Sequence, residues 1–527
     1  MNGFYIDLES DNLYLQSTKI WYMKLTSLDG SRSMQIWPFR ENPDDVAQKL
    51  DKWVASFTDG CFVVGHGILG YDTWMLWKFY GIQPKVGKKG KDWLGDKHVQ
   101  FIDTLVLSQY LQPDVGGHSL EYLSEGNEEE KLKYREKLVE AGAMAGNEPK
   151  GYEFSFYHDL MVEYCDQDVA AGIGVFHDLW GKAEEMYKNN WIHKSYNQVQ
   201  KDFFLYAAQS FTGVKFDQQK AIALAESIEK MMEEIKAEVD PILPPRKLKK
   251  AEEAFYKIPA KPFTKNGEHS ANMLKWLEKH KATVEERTIY AYGRTFNLIA
   301  NEVLDIKLPM EIDDNAELKD YFLESGWVPH DDFWNFKRDE RGKPARDDRG
   351  QIIKTTPKIQ HAGQICPNLL KLEADTPKKV VKYLSLRNRL SVIRGWLGNE
   401  RLKYDGRLSA NITGYTPTFR VKHSTVVNVP KADPKVLLGN EMRELFTVEE
   451  GNFYIGTDAA ALENRTLASY TMKYDGGEFA DRLLKGDSHS FNAFAFFPEI
   501  KTKFDINDPT LKDQTEFKPY RNKSKTG

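Results

Sequence analysis

Cysteine is scarce in this chain. Cys61, Cys165 and Cys366 are the only three in 527 residues, and none forms a C-x-x-C pair. That excludes a disulfide framework and a cysteine-based zinc site, and it points to a reducing cytoplasm. No apolar run approaches the ~18 residues that suggest a membrane span, so no membrane partner is expected. The opening MNGFYIDLES lacks the apolar core of a signal peptide. Low-complexity tracts are missing too, and the formal net charge is only −5. Such a balance does not advertise a nucleic-acid binder, although a large enzyme can carry a local basic groove on an acidic body. What remains is an ordinary globular composition, 41% hydrophobic and 29% charged. The length exceeds one compact core and implies about three domains.

The informative residues are acidic, and they fall near element ends. GFYIDLES reads as a strand, Phe4 to Leu8, whose period-two alternation delivers Asp7 and Glu9 to one face. CFVVGHG reads as a second strand, followed by a turn into YDTWMLWKFY, which places Asp72 at the start of an apolar helix. FIDTLVLSQYL and GGHSLEYL are helical in pattern. LMVEYCDQDVAAGIGVFHDLW reads as a helix with Tyr164 and Asp168 one turn apart on a shared face and Asp166 turned elsewhere. Taken singly, each acid is ordinary: a solvated strand end, a helix-start residue that favours the dipole, a surface pair. Residues 125–150 read as a solvated helix and loop.

In this order the elements resemble the DEDD-type 3′→5′ exonucleases, and the tyrosine marks the subclass common in polymerase proofreading domains. The resemblance implies an RNase H-like domain over 1–195. In it Asp7, Glu9, Asp72 and Asp168 hold two Mg²⁺ ions, with Mn²⁺ as a substitute, and Tyr164 orients the attacking water. Phosphodiester hydrolysis benefits from two ions ~3.5–4 Å apart, one activating water and one stabilising the leaving oxygen. Mg²⁺ takes oxygen ligands, and four carboxylates gathered without cations would repel one another. One departure stands out. Where the family has an asparagine shortly before the second-motif aspartate, GHGILGYD places Gly67, and His66 is no obvious substitute. His66 and His118 are weaker candidates for a catalytic base.

From about Tyr196 the pattern turns helical. The turn TGVKFD with its long amphipathic helix, AELKDYFLESGWVP, and TPKKVVKYLSLRNRLSVIRGWL resemble the thumb of family A (DNA polymerase I-like) polymerases, here over 196–404. The last of these helices carries Lys378, Lys379, Lys382, Arg387, Arg389 and Arg394, which suits a duplex backbone. A solvated face is the plainer reading of any one of them. Residues about 240–315 exceed a minimal thumb and are rich in lysine. Their position matches an insertion with which some phage replicases of this family bind host thioredoxin. Thioredoxin or another processivity factor is therefore an expected partner, with extra DNA-contacting surface as the alternative. Residues 330–362 read as hairpins.

The strongest resemblance lies in 405–527. FYIGTDAAALENR reads as a strand, Phe453 to Gly456, leading to Asp458, then Glu463 and Arg465. It resembles the first palm motif of family A polymerases, Asp-x-x-x-x-Glu-x-Arg. The resemblance implies that Asp458 binds both Mg²⁺ ions that clamp the incoming dNTP and the primer 3′-oxygen. Glu463 would exclude a ribose 2′-hydroxyl. In TPTFRVKH, Arg420 matches an arginine that reads the minor groove, while Phe419 replaces a glycine. NEMRELF supplies Arg443, LLKGDSHSFNA supplies Asp487 and His489, and RNKSKTG matches the start of the fingers helix, whose Arg521 and Lys525 grip the dNTP phosphates. A tyrosine would follow at 529 and a His-Asp-Glu turn far downstream; no such triplet occurs in this sequence.

Together these motifs resemble the first two-thirds of a bacteriophage family A DNA polymerase. The implied architecture is multidomain, α/β and α+β: an exonuclease domain, a helical thumb and part of a palm. Its expected substrates are primer-template DNA, single-stranded 3′ ends and dNTPs, in the cytoplasm of an infected bacterium. Polymerisation would need a C-terminal fragment. A free-standing exonuclease with a vestigial polymerase region is the alternative. A non-catalytic DNA-binding module ranks last, because it predicts erosion of acids that are all present.

Overall fold

The computed structural model describes residues 2–87, 91–126, 133–188, 195–339, 342–361, 364–434, 436–459, 461–485 and 487–524. The chain divides between Thr447 and Val448 into two compact units.

The first unit opens with a mixed sheet. Its strands are β1 (Gly3–Ser10), β2 (Ile20–Ser27), β3 (Ser33–Ile36), β4 (Cys61–Gly65), β5 (Pro84–Lys85), β6 (Asp92–Leu94) and β7 (Lys97–Asp103). Their order is β3-β2-β1-β4-β7-β6-β5, with parallel pairs only at β1–β4 and β4–β7. The helices are α1 (Pro43–Ala55), α2 (Asp72–Tyr80), α3 (Thr104–Leu111), α4 (Leu120–Ser124), α5 (Tyr134–Glu140), α6 (Leu160–Tyr187) and α7 (Ser195–Thr212). The stretch FIDTLVLSQYL is helical only from Thr104. Phe101, Ile102 and Asp103 finish β7, and Asp103 caps α3 by accepting from the backbone N–H groups of Leu105 and Val106. A run of apolar residues does not distinguish a fully buried parallel strand from a buried helix, which is why the pattern misreads there.

The helix α6 shows how the sequence builds this core. Met161, Tyr164, Cys165, Asp168, Val169, Gly172, Val175, Phe176, Leu179 and Ala183 are buried at three- and four-residue spacing, a stripe that faces the sheet. Tyr5, Asp7 and Glu9 share the β1 face that meets it. The close approach depends on Gly172: a Cβ there would stand 2.0 Å from the Tyr5 hydroxyl and 2.2 Å from its ring. On the sheet side of the same core, Tyr196 and Phe203 of α7 also pack, together with Tyr415.

Beyond α7 lie β8 (Val214–Phe216) and the long helix α8 (Gln218–Val239). α8 packs against the helix Asp375–Leu397 through Ile228, Ile235 and Val239 on one side and Val380, Leu384 and Ile393 on the other. Several of the basic residues on that second helix are engaged within the protein. Lys379 pairs with Glu238 and Asp375, Arg394 with Glu229, and Arg387 bonds Asp313 and Asn315. Lys378 and Lys382 remain exposed. Residues 240–315 hold a small core of their own, built from Ile258, Met273, Trp276, Ile289, Leu304 and Ile306. The hairpins expected over 330–362 are present as Trp334–Phe336 with Lys354–Pro357 and as the bridges inside them.

The second unit contains the helices Leu462–Asp475, Glu478–Lys485, Ser488–Phe496 and Lys518–Lys523, and Ala493, Phe494, Ile500, Leu511 and Phe517 form its core. The strand expected at Phe453–Gly456 is not formed. That stretch has no regular structure, and Phe453 and Ile455 are 78% and 81% exposed. A strand needs a neighbouring strand for its backbone N–H and C=O groups, and among the described residues this stretch joins no sheet.

Replacing Gly172 by Ala forces Tyr5 or α6 to move, and we expect a loss of roughly 1–3 kcal/mol, the usual penalty for overpacking. Gly174→Ala, where a Cβ meets nothing within 4 Å, should raise stability by about 0.5–1 kcal/mol, the gain of Ala over Gly inside a helix. Urea unfolding of the two variants checks this; equal stabilities would contradict the packing.

Candidate active site

Pairing in the sheet opens a crevice at one end of β1. β4 runs beside β1 only along Gly3–Tyr5. Past that point the chain of β4 leaves through the 66–71 turn and starts α2 at Asp72. The outer half of β1, carrying Asp7 and Glu9, therefore lies outside the carboxyl end of β4, the place where open α/β sheets bind ligands. The α6 stripe closes this crevice and brings Tyr164, Cys165 and Asp168 to it. Asp72 is 5% exposed, Asp168 4%, Glu9 9% and Tyr164 8%.

Electrostatics show that these groups converge. Burial pushes the Asp72 carboxyl well above its ordinary range, and the charge of Asp7 pushes it further; the Leu8 N–H works the other way. Tyr164 is raised by burial, then by Glu9, Asp168 and Asp7. Tyr5 is raised by burial and then by Asp7, Asp168 and Asp72. Asp7, Glu9, Asp72, Tyr164 and Asp168 thus share one electrostatic neighbourhood. Asp166 is turned away: it accepts from Tyr22 Oη at 2.6 Å and Gln35 Nε2 at 2.8 Å and pairs with Lys24 at 3.1 Å, which ties α6 to β2 and β3.

Carboxyl oxygens suit hard divalent cations, and the Asp72 carboxyl, raised first by burial and then by the charge of Asp7, is a group that a nearby cation would help to ionise. Gly67 adopts φ +78°, a left-handed turn open to glycine. Its N–H and that of Leu69 each donate to Asp103 at 3.0 Å. His66 Nδ1 lies 3.0 Å from Thr104 Oγ1 and His118 Nδ1 lies 2.9 Å from Ser108 Oγ. Both histidines line a cavity of about 440 Å³ with Gln109, Tyr415 and Lys422.

The polymerase-motif residues are less assembled. Asp458 lies in the exposed stretch without regular structure, and Glu463 in the first turn of the helix Leu462–Asp475. Arg521 is gripped by Asp487, Nε to Oδ2 at 2.6 Å and Nη2 to Oδ1 at 2.9 Å. Burial opposes ionisation of Asp487, but Arg521 and Ser490 outweigh it and hold the carboxyl at about 2. His489 is tied by its carbonyl to the Ser524 hydroxyl, and with Arg465, Arg482 and Arg521 it lines a cavity of about 940 Å³. Lys525 lies outside the described residues. In the first unit, Arg443 Nε donates to the Pro430 carbonyl at 2.6 Å. Arg420 is exposed, after a Phe419 that takes φ +56°, the left-handed region a glycine would favour.

No family model and no curated protein matches the chain. Among solved structures it is similar to the POL domain of Pol1 from M. smegmatis in complex with DNA primer-template and dNTP. The TM-score is 0.55 and the identity 12%, over 99% of this chain and 66% of that one. The likeness shows a polymerase-like fold.

Three residues beside the first constellation escaped the sequence reading. Asp103 is wholly buried and accepts from Gly67, Leu69, Leu105 and Val106, so it fixes the turn that launches α2 and Asp72. Its place directly before the helix start was the available signal, obscured by reading the strand as helix. Tyr134 comes from the segment taken as solvated. In fact Tyr134 and Leu138 of α5 are buried, and the Tyr134 ring stacks on Tyr164 with centroids 5.0 Å apart. Cys165 donates its thiol hydrogen to Asp7 Oδ2 at 3.2 Å.

Burial outweighs those backbone donors and pushes Asp103 up to about 6. A carboxyl raised above its unfolded value favours the folded state at low pH and loses that contribution as pH rises through the folded value. Asp103→Asn turns an amide donor toward a backbone N–H, which should cost about 1–3 kcal/mol. The parent's advantage over this variant should shrink as pH rises from about 4 to about 6. Urea titrations across that window measure it; a growing advantage would contradict the assignment.

Proposed function

We propose that this chain is a DNA-processing enzyme whose first unit removes nucleotides from the 3′ end of single-stranded DNA by metal-dependent phosphodiester hydrolysis. The observation that carries the reading is the convergence of Asp7, Glu9, Asp72, Asp168 and Tyr164 on the open end of β1. The strand order, with an antiparallel β3-β2-β1 ribbon continued by parallel β4 and β7, supports an RNase H-like exonuclease domain. Two Mg²⁺ or Mn²⁺ ions held by the four carboxylates would supply charge neutralisation and an activated water. Tyr164, kept protonated by burial and by Glu9, donates its hydroxyl hydrogen bond and orients the attacking water. Stacking on Tyr134 restricts that phenol to one pose. Asp103 holds Asp72 in place through the 66–71 turn.

The wider reading is a phage-type family A DNA polymerase acting in the cytoplasm of a bacterial host. The polymerase-like fold and the motif residues Asp458, Glu463, Arg420, Arg443, His489, Arg521 and Lys525 support it. In this reading the basic helix Asp375–Leu397 and the 240–315 segment face primer-template DNA or a processivity factor such as thioredoxin, and dNTP binds beside Asp458. The chain spans 66% of its structural neighbour. A second reading, exonuclease with a vestigial polymerase region, is favoured by the exposed, irregular stretch around Asp458 and the engagement of Arg521 by Asp487.

With Mg²⁺ or Mn²⁺ the chain should shorten a labelled single-stranded oligonucleotide from its 3′ end. Asp7→Ala combined with Glu9→Ala should abolish this while circular dichroism stays unchanged, and undiminished digestion by the double variant would sink the proposal. Tyr164→Phe should slow turnover by roughly 10²–10⁴, the range for a positioned proton-handling group. Asp458→Ala should leave digestion intact. On a primer-template with dNTPs, extension that Asp458→Ala abolishes supports the wider reading; no extension, with digestion intact, selects the second.

A further inference from the structure

Inside the carboxylate pocket sits a donor of another chemical kind. One carboxylate oxygen each from Asp7 and Glu9 and the sulfur of Cys165 lie within 4.8 Å of one another. Cys165 is fully buried on α6, one residue after Tyr164, and its thiol hydrogen already points at Asp7 Oδ2 from 3.2 Å. A tetrahedral zinc-type site, with metal–sulfur near 2.3 Å and metal–oxygen near 2.0–2.2 Å, spaces its donors about 3.5 Å apart. Closing the trio onto an ion therefore needs shifts on the order of 1 Å, within reach of side-chain rotation.

A second observation points the same way. The Tyr134 hydroxyl is buried, the residue being 4% exposed, and it has no hydrogen-bond partner among the described residues. The Tyr134 ring stacks on Tyr164, the residue before Cys165, and all three belong to one buried cluster. A buried hydroxyl without a partner costs free energy of about 1–3 kcal/mol. A water held on an ion at Glu9 would supply that partner.

We propose that Cys165 is a third donor, beside Asp7 and Glu9, of a divalent-ion subsite that accepts thiophilic ions such as Zn²⁺ and Cd²⁺ as well as hard ones. The inference rests on the reading that Asp7 and Glu9 hold an ion. On binding, the S–H bond breaks and a sulfur–metal bond forms; the proton now shared with Asp7 leaves to solvent, one per ion, with no change of oxidation state. A sulfur donor raises the preference for such ions above that of a purely carboxylate site.

The test is a Cd²⁺ titration of the full chain followed by ultraviolet absorbance. A sulfur-to-cadmium charge-transfer band should grow and saturate at one ion per chain. It should vanish in Cys165→Ser and persist when Cys61 and Cys366, both buried elsewhere, are replaced by Ser together. Glu9→Gln should weaken the apparent affinity by at least about tenfold, the scale for losing a supporting group. If Cys165→Ser fails to fold by circular dichroism, Cys165→Ala is read in its place. A band that survives loss of Cys165, or no band in the parent at saturating Cd²⁺, overturns the proposal. Because absorbance requires no turnover, a chain that hydrolyses nothing yet shows a Cys165-dependent band keeps this inference while the exonuclease reading fails.

Discussion

The first unit is organised around a single electrostatic constraint: carboxylates from three separate elements must be held together in a mostly buried pocket. Like charges at short range repel strongly where water is scarce, and each buried carboxylate also forfeits hydration. The raised carboxyl of Asp72 and the raised phenols of Tyr5 and Tyr164 record that cost. A chain that keeps such a cluster must enforce it by packing. The sheet does this by ending the β1–β4 pairing at Tyr5, which leaves a crevice instead of a filled core.

Rigid support follows from the same need. α6 contributes two of the five site residues, and three unrelated contacts fix its position. Gly172 lets it approach Tyr5, Asp166 ties it to Lys24, Tyr22 and Gln35, and its apolar stripe fills the main core. α5, from a stretch that looks merely hydrophilic, adds Tyr134 as a stacking surface. Asp103 performs the corresponding task for α2 by collecting backbone N–H groups from both sides of a tight turn. Its burial is costly, and four hydrogen bonds offset much of that cost.

The second unit follows a different physical logic. Its small core holds five buried apolar residues, while Phe453, Ile455, Tyr470, Tyr474 and Leu484 are largely exposed. The ion pair of Asp487 with Arg521 organises the remaining polar side of the unit. Engaged by that carboxylate through Nε and Nη2, the guanidinium is positioned beside the cavity that His489 and Arg465 also line.

Much of this protein can be read from residue order alone. The alternation that puts Asp7 and Glu9 on one face, the helical spacing of Tyr164 and Asp168, the helix starting at Asp72 and the long α8 follow from periods of 2.0 and 3.6, and the hairpins after His330 from Gly-containing turn signals; all are local properties of the chain. The ambiguity between strand and helix at Phe101–Asp103 also arises locally, since a buried strand and a buried helix are both simply apolar. Only the tertiary structure decides what depends on partners far away in the chain. Tyr134 is buried because Tyr164 lies beneath it, Cys165 becomes a candidate donor because Asp7 is within reach, and Asp103 matters because the 66–69 turn needs an acceptor. Phe453–Gly456 has strand composition and yet forms no strand, because a strand exists only through hydrogen bonds to a neighbour, and its own residues cannot supply one.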